Sequence, residues 1–82
     1  MKNDPEKIKS SNADRLKAIG ARIRDLRIKA GYKSHEIFAW DHEINRVQYW
    51  NIEKGSNITL KTLFKICDIH NITVEQLFHD VC

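Results

Sequence analysis

The chain has 82 residues, 41% of them hydrophobic and 30% charged, with a net charge of +3 at pH 7. That is one domain around one core: a chain this short buries roughly 60% of the surface it exposes when unfolded, which leaves little for a walled substrate cleft or a sensor domain and excludes a large enzyme. The charge is uneven, with ten basic against four acidic residues over 1–33 and four basic against seven acidic over 34–82, an asymmetry that suits one surface to a polyanion.

Residues 1–12 are polar, contain Pro5 and lack apolar periodicity, so they read as a mobile basic arm ahead of a domain over 13–82. From Asp14 the pattern turns helical. Leu16, Ile19, Ile23, Leu26 and Ala30 recur at helix spacing among Arg15, Lys17, Arg22, Arg24 and Lys29, and Gly31 follows as a stop. Ser34 can cap a short second helix to about Asp41, with Ile37 and Phe38 as its core contacts. After His42-Glu43-Ile44, Asn45 and Gln48 have the spacing of a capping box, and a third helix would run from Arg46 to Lys54 and stop at Gly55. Thr59 can cap a fourth, with Leu60, Leu63, Phe64, Ile66 and Cys67 facing inward, ending near His70-Asn71. Thr73 and Gln76 form a further capping box for a fifth helix carrying Val74, Leu77 and Phe78. The pattern contains no strand-type alternation and no internal repeat, so the expected fold class is all-α with five helices.

Two short helices joined by a tight turn and seated on a longer one form the arrangement that places a helix in the DNA major groove. At ~100° per residue, the third helix puts Tyr49, Ile52 and Glu53 on one side. Val47, Trp50, Asn51 and Lys54 take the other side, with Arg46 and Gln48 at the flanks. The second side carries groups that match base edges: Asn51 for adenine, Arg46 for guanine, Val47 or Trp50 for a thymine methyl. Lys54, at the helix end, is better placed for phosphate. Glu53 then points inward, where an unpaired carboxylate costs several kcal/mol. Arg27, beside the apolar stripe of the first helix, offers a guanidinium fork that binds a carboxylate twice. An Arg27–Glu53 pair with a structural role is therefore expected.

The residues that carry these expectations also carry a family resemblance. The run IGARIRDLRIKAGYKSHEIFA and then INRVQYWNIEKGSNITLKTLFKICDIHNITVEQLF resembles the Xre/Cro/CI-type helix-turn-helix domain over about residues 16–78. Four separated pieces match in order and spacing: Arg27-x-x-x-Gly31, Phe38-Ala39, Ile52-Glu53-Lys54-Gly55, and Ile72-Thr73-Val74-Glu75-Gln76-Leu77-Phe78. The resemblance implies a five-helix lambda-repressor-like domain and a sequence-specific transcriptional regulator, acting as a homodimer on a palindromic operator. It further implies that Arg46, Val47, Gln48, Trp50 and Asn51 face double-stranded DNA, that Ser34 and His35 lie near phosphate, and that Arg27 and Glu53 pair. The chain departs from the family pattern at Glu43, where the turn usually has Gly. A left-handed backbone at Glu43 would cost ~1–2 kcal/mol; the alternative is a longer or differently shaped turn. It departs again at Trp40 and Trp50, where family members usually have small residues. Trp50 either touches bases or packs across the seam between the second and third helices. Trp40 faces outward and is expected to pack against the chain or a partner.

Competing chemistries have less behind them. Cys67-x-x-His70 and His79-x-x-Cys82 have ligand-like spacing for zinc. A fifth helix rising ~1.5 Å per residue separates the two pairs, so a core thiol and a packed imidazole are expected, with no metal and no cofactor. The histidines are scattered over helix ends and no nucleophile, base and orienting group converge, so no enzyme is expected. With no apolar run near the ~20 residues of a membrane span and no apolar stretch in MKNDPEKIKSSNADR, the expected location is cytoplasmic, away from membranes, with Cys67 and Cys82 as thiols. A different class remains open: a protein-interaction module, such as the antitoxin of a toxin–antitoxin pair or a partner of a co-regulator, docking through Trp40 and the acidic C-terminal part. For a DNA-binding homodimer, the fifth helix and the exposed end of the fourth are the expected dimer surface, from position alone.

Overall fold

The computed structural model describes residues 11–79. Five helices follow in chain order, α1 (Asn12–Lys29), α2 (His35–Asp41), α3 (Arg46–Glu53), α4 (Leu60–Ile69) and α5 (Val74–Phe78), with no strand among the described residues. Each begins on a side-chain cap. Ser11, Ser34, Asn45, Thr59 and Thr73 accept from the backbone N–H three residues on, at 2.9–3.2 Å, which satisfies a donor that the helix cannot pair within itself. Thr73 completes a capping box, since its own N–H donates to Gln76 Oε1 at 2.8 Å. At Asn45 only the first half forms, and the Gln48 side chain stays outside on the surface. Ser11 and Asn12, expected in the arm, are instead the cap and first residue of α1. The rest of that arm, residues 1–10, lies outside the described residues.

The ends of α1 to α4 share one construction. The residue after each of their C-caps takes a left-handed backbone, at Gly31 (φ 96°), Glu43 (φ 57°), Gly55 (φ 106°) and Asn71 (φ 55°). The following N–H then reaches back to a carbonyl of the last turn: Tyr32 to Arg27, Ile44 to Ala39, Ser56 to Asn51, Ile72 to Cys67. This is the Schellman stop, which satisfies otherwise orphaned carbonyls. Glu43 is its strained member. The α2–α3 turn is thus the short left-handed one and not a longer loop, and the Glu43 carbonyl it exposes accepts from Lys65 Nζ on α4 at 3.1 Å.

Ile23 of α1, Phe38 and Ala39 of α2, Tyr49 and Ile52 of α3, Leu63, Ile66 and Cys67 of α4, and Leu77 of α5 form the core. Several expected core positions face outward. Ala30 is exposed at the C-cap of α1; Ile37, Leu60, Phe64 and Phe78 also lie on the surface, and Ala39 occupies the place expected of Ile37. At the centre, Phe38 is ringed by Tyr32 (centroids 5.1 Å, edge-on), Tyr49 (5.0 Å), His42 (4.6 Å) and a parallel His70 (5.4 Å). Burial, and then the charge of nearby His42, lower the pKa of His70, so a neutral imidazole fills an apolar place. On the far side, Arg22 Nη2 of α1 donates to the Gln76 carbonyl of α5 at 3.2 Å.

A glycine at position 43 would hold the same turn without the cost of a Cβ at positive φ. Glu43→Gly is expected to raise stability by about 1 kcal/mol, read as a higher urea midpoint at unchanged m-value; a lower midpoint would show that the Glu43 side chain contributes more than the strain it causes.

Candidate nucleic-acid interface

What α3 presents to solvent depends on how α1 holds its back. Gly20, in the middle of α1, is fully packed against the end of α3: a Cβ built there would lie 2.5 Å from the Ile52 carbonyl oxygen and 2.6 Å from that of Glu53. No side chain fits, and the backbones themselves meet. One and two turns further along α1, Ile23 and Arg27 continue the buried line. Sequence reasoning passed over Gly20, although a glycine inside a long helix, at a cost of ~1 kcal/mol against alanine, is itself a sign of close approach.

Arg27 closes the contact. Its Nε donates to Glu53 Oε2 at 2.7 Å and its Nη2 to Glu53 Oε1 at 3.1 Å, the bidentate geometry expected. Its Nη1 donates to the Tyr32 carbonyl at 2.8 Å, tying in the α1–α2 connection. The two side chains are 5% and 1% exposed, so both charges are desolvated. The carboxylate raises the guanidinium pKa further above its ordinary value. Beside the pair lies the Tyr49 hydroxyl, buried and without a protein hydrogen-bond partner among the described residues. Burial first, and then the adjacent Glu53 carboxylate, push its pKa well up, so the phenol stays protonated next to the carboxylate.

With Tyr49, Ile52 and Glu53 turned inward, Arg46, Val47, Gln48, Trp50, Asn51 and Lys54 are all exposed. The division matches the helical wheel at every position. It also removes the one acidic residue of α3 from its outer face, which carries the cations Arg46 and Lys54. Arg46 Nη1 lies 3.4 Å from Glu36 Oε2 of α2, an open pair with side chains 70% and 58% exposed. Such a pair contributes little, and Arg46 is available to a stronger partner.

Of the two alternatives open for Trp50, the structure shows the packing across the seam. Its ring stacks on His35 of α2, centroids 4.1 Å apart at 23°, across the α2–α3 seam, and Lys54 Nζ sits 5.1 Å from the ring centre. Yet 40% of the residue remains in solvent. His35, Glu36, Arg46, Val47 and Trp50 line an open cleft of about 400 Å³ between the starts of α2 and α3. Ser34 lies at its edge in sequence. Its hydroxyl oxygen accepts from the Ile37 N–H at 3.2 Å, which leaves its O–H to donate elsewhere. Trp40 does not pack against the chain: it is 83% exposed.

The remaining candidate groups are dispersed. Cys67 is buried in the core, its thiol pKa raised by burial and then by Asp68, and His70 stands against Phe38. Cys82 lies outside the described residues, among which no group of three or more His, Cys, Asp or Glu side chains comes together as metal ligands. No helix among them is long and apolar enough to cross a membrane. No family model, no curated protein and no solved structure matches the chain.

Removing one partner of the buried pair strands the other charge. Arg27→Leu is expected to cost about 3–5 kcal/mol in chemical denaturation, and adding Glu53→Leu to recover most of it; a double-variant loss equal to the sum of the two single losses would mean that the two side chains act independently.

Proposed function

We propose that the protein is a sequence-specific DNA-binding transcriptional regulator with a five-helix lambda-repressor-like helix-turn-helix domain of the Xre/Cro/CI type, in which α3 enters the major groove. The observation that carries this reading is the two-sidedness of α3: Tyr49, Ile52 and Glu53 are buried, Glu53 against Arg27 of α1, and the side chains that match base edges stand exposed on the other side. In this reading Arg46, near the helix N-terminus, donates two N–H bonds to a guanine. Asn51 pairs with the N6 and N7 positions of an adenine, and Gln48 offers a second amide for the same chemistry. Lys54 at the end of α3, with the Ser34 hydroxyl and the His35 ring at the start of α2, holds phosphates and so sets the register.

An eight-residue helix reads few base pairs. Two copies of the chain on a palindromic operator, their α3 helices in successive major grooves about 34 Å apart, double the information. The exposed Phe64 of α4 and Phe78 of α5 support the expected location of the dimer surface. The protein would act in the cytoplasm, without cofactor or metal. A second reading, a module that docks on a protein such as a toxin or co-regulator, is favoured by one observation: Trp40, 83% exposed, borders a separate cleft of about 400 Å³ lined by Ala39, Glu43 and Ile44.

Selection from random duplexes at two salt concentrations separates these readings. DNA recognition predicts enrichment of one site, with affinity falling steeply as salt rises because bound cations displace counterions. Arg46→Ala and Asn51→Ala should each relax one base position at a cost of ~1–3 kcal/mol. Failure to enrich any site at either salt contradicts the reading and favours the docking module.

A further inference from the structure

Phe38 is covered by two imidazoles that recognition through α3 does not use. His70, the C-cap of α4, stacks on the Phe38 ring with centroids 5.4 Å apart at 7°. His42, the C-cap of α2, lies 4.6 Å from the same ring and 5.8 Å from that of Tyr32. The His70 ring thereby joins α4 to the buried side of α2. Its Nε2 is closed off from solvent and has no hydrogen-bond partner among the described residues. An imidazolium there would bury an unpaired N–H beside a positive charge.

The groups around this contact do not pair with such a charge. On α4, Asp68 stands two positions before His70 and is exposed. From α2 comes His42, whose charge opposes one on His70, and Asp41, which accepts from the Tyr32 hydroxyl at 2.9 Å. Glu43 follows, exposed, with Lys65 Nζ on its carbonyl. On α3, Tyr49 keeps its proton, and Glu53 is held by Arg27 of α1. Arg22 of α1 is bonded to the Gln76 carbonyl of α5, and Glu75 and His79 of α5 are exposed. Burial, and then His42, hold the His70 pKa below its ordinary value; the carbonyl end of α4, which favours a cation, does not overcome them.

We propose that His70 and Phe38 form an acid-sensitive latch between α4 and α2. With the imidazole neutral, the stack holds the end of α2 and its turn into α3 against α4. A proton taken up at His70 turns the ring out to water and frees α2 on that side, and a charge on His42 adds to the repulsion. α3 keeps its separate hold on α1 through Arg27, Glu53 and the close approach at Gly20. The latch concerns the fold alone and stands apart from the DNA-binding reading. In the unfolded chain His70 takes up its proton at about pH 6.5, and in the latched chain only at lower pH. The latch therefore contributes fully above about pH 6.5. Its contribution is lost as pH falls towards the native value, the folding constant dropping by up to about tenfold per pH unit for this one proton.

Two measurements on the full chain test this. Followed by NMR from about pH 8 to about pH 5, the His70 ring signal should titrate below its ordinary range. The Phe38 ring signals should move with the same midpoint, while the Gly20 and Ile52 signals of the α1–α3 contact stay in place. Titration of His70 at about pH 6.5 with Phe38 unmoved would overturn the latch. In urea unfolding over the same range, His70→Phe keeps an aromatic ring on Phe38 and removes the proton. Its stability should fall less steeply below about pH 6.5 than that of the unmodified chain, by up to about tenfold per pH unit; parallel curves would also overturn the latch. If the variant does not fold, the titration of the unmodified chain decides alone.

Discussion

The buried contact between Arg27 and Glu53 is the interaction on which the rest of the molecule depends. It joins the last turns of α1 and α3, and through the Tyr32 carbonyl it also anchors the connection into α2. As a source of net stability a buried ion pair is a poor investment, because the desolvation of two charges offsets most of their attraction. Its effect is on register. A guanidinium fork meets both carboxylate oxygens in one orientation, and Gly20 lets the backbones of α1 and α3 touch in one place. Together they leave α3 no freedom to roll. A rotation by one residue, ~100°, would lift Glu53 out of its partner and press Asn51 or Trp50 into the core. The same pair keeps α3's single carboxylate away from any polyanion on its outer face.

The helix boundaries are the part of the fold most legible in the sequence, because they are set by local chemistry. Ser34, Asn45, Thr59 and Thr73 cap the helices they were expected to cap, and Gly31, Gly55 and Asn71 stand where the chain turns left-handed. The inward faces of the short helices are less legible. In α2, Ile37, Phe38 and Ala39 are consecutive and apolar, and seven residues give too few turns for periodicity to choose among them. Packing chooses Phe38 and Ala39, since the large ring fills the space between Tyr32, Tyr49 and His70. In α4, Leu60 and Phe64 lie one turn apart and sit outside a core that Leu63, Ile66 and Cys67 already complete. Glu43 shows the reverse case, a residue unsuited to its backbone that is retained because the turn and Lys65 around it determine the conformation.

The candidate site divides in the same way. Which residues of α3 face outward follows from spacing on one helix, and Glu53 could be paired with Arg27 because burying a carboxylate demands a cation. What could not be read is anything made between helices without such a demand. The stacking of His35 on Trp50 needs the distance between α2 and α3, and Gly20 acts through the absence of a side chain. The outward face of α3 thus combines two kinds of group: polar side chains in solvent, Arg46, Gln48, Asn51 and Lys54, and one indole stacked on His35.

The chain contains two tryptophans, and they mark the two surfaces that compete for its function. Trp50 lies on the outer face of α3, and Trp40 projects from the end of α2 with almost all of its ring in solvent. Titration of the nitrogen-labelled protein with its selected duplex, followed through the two indole N–H signals, therefore tests the central claim most directly. The account predicts that the Trp50 signal moves with saturating, salt-dependent behaviour while the Trp40 signal stays in place. Movement of Trp40 with Trp50 unchanged would contradict it, and would put the binding surface on α2 instead of α3.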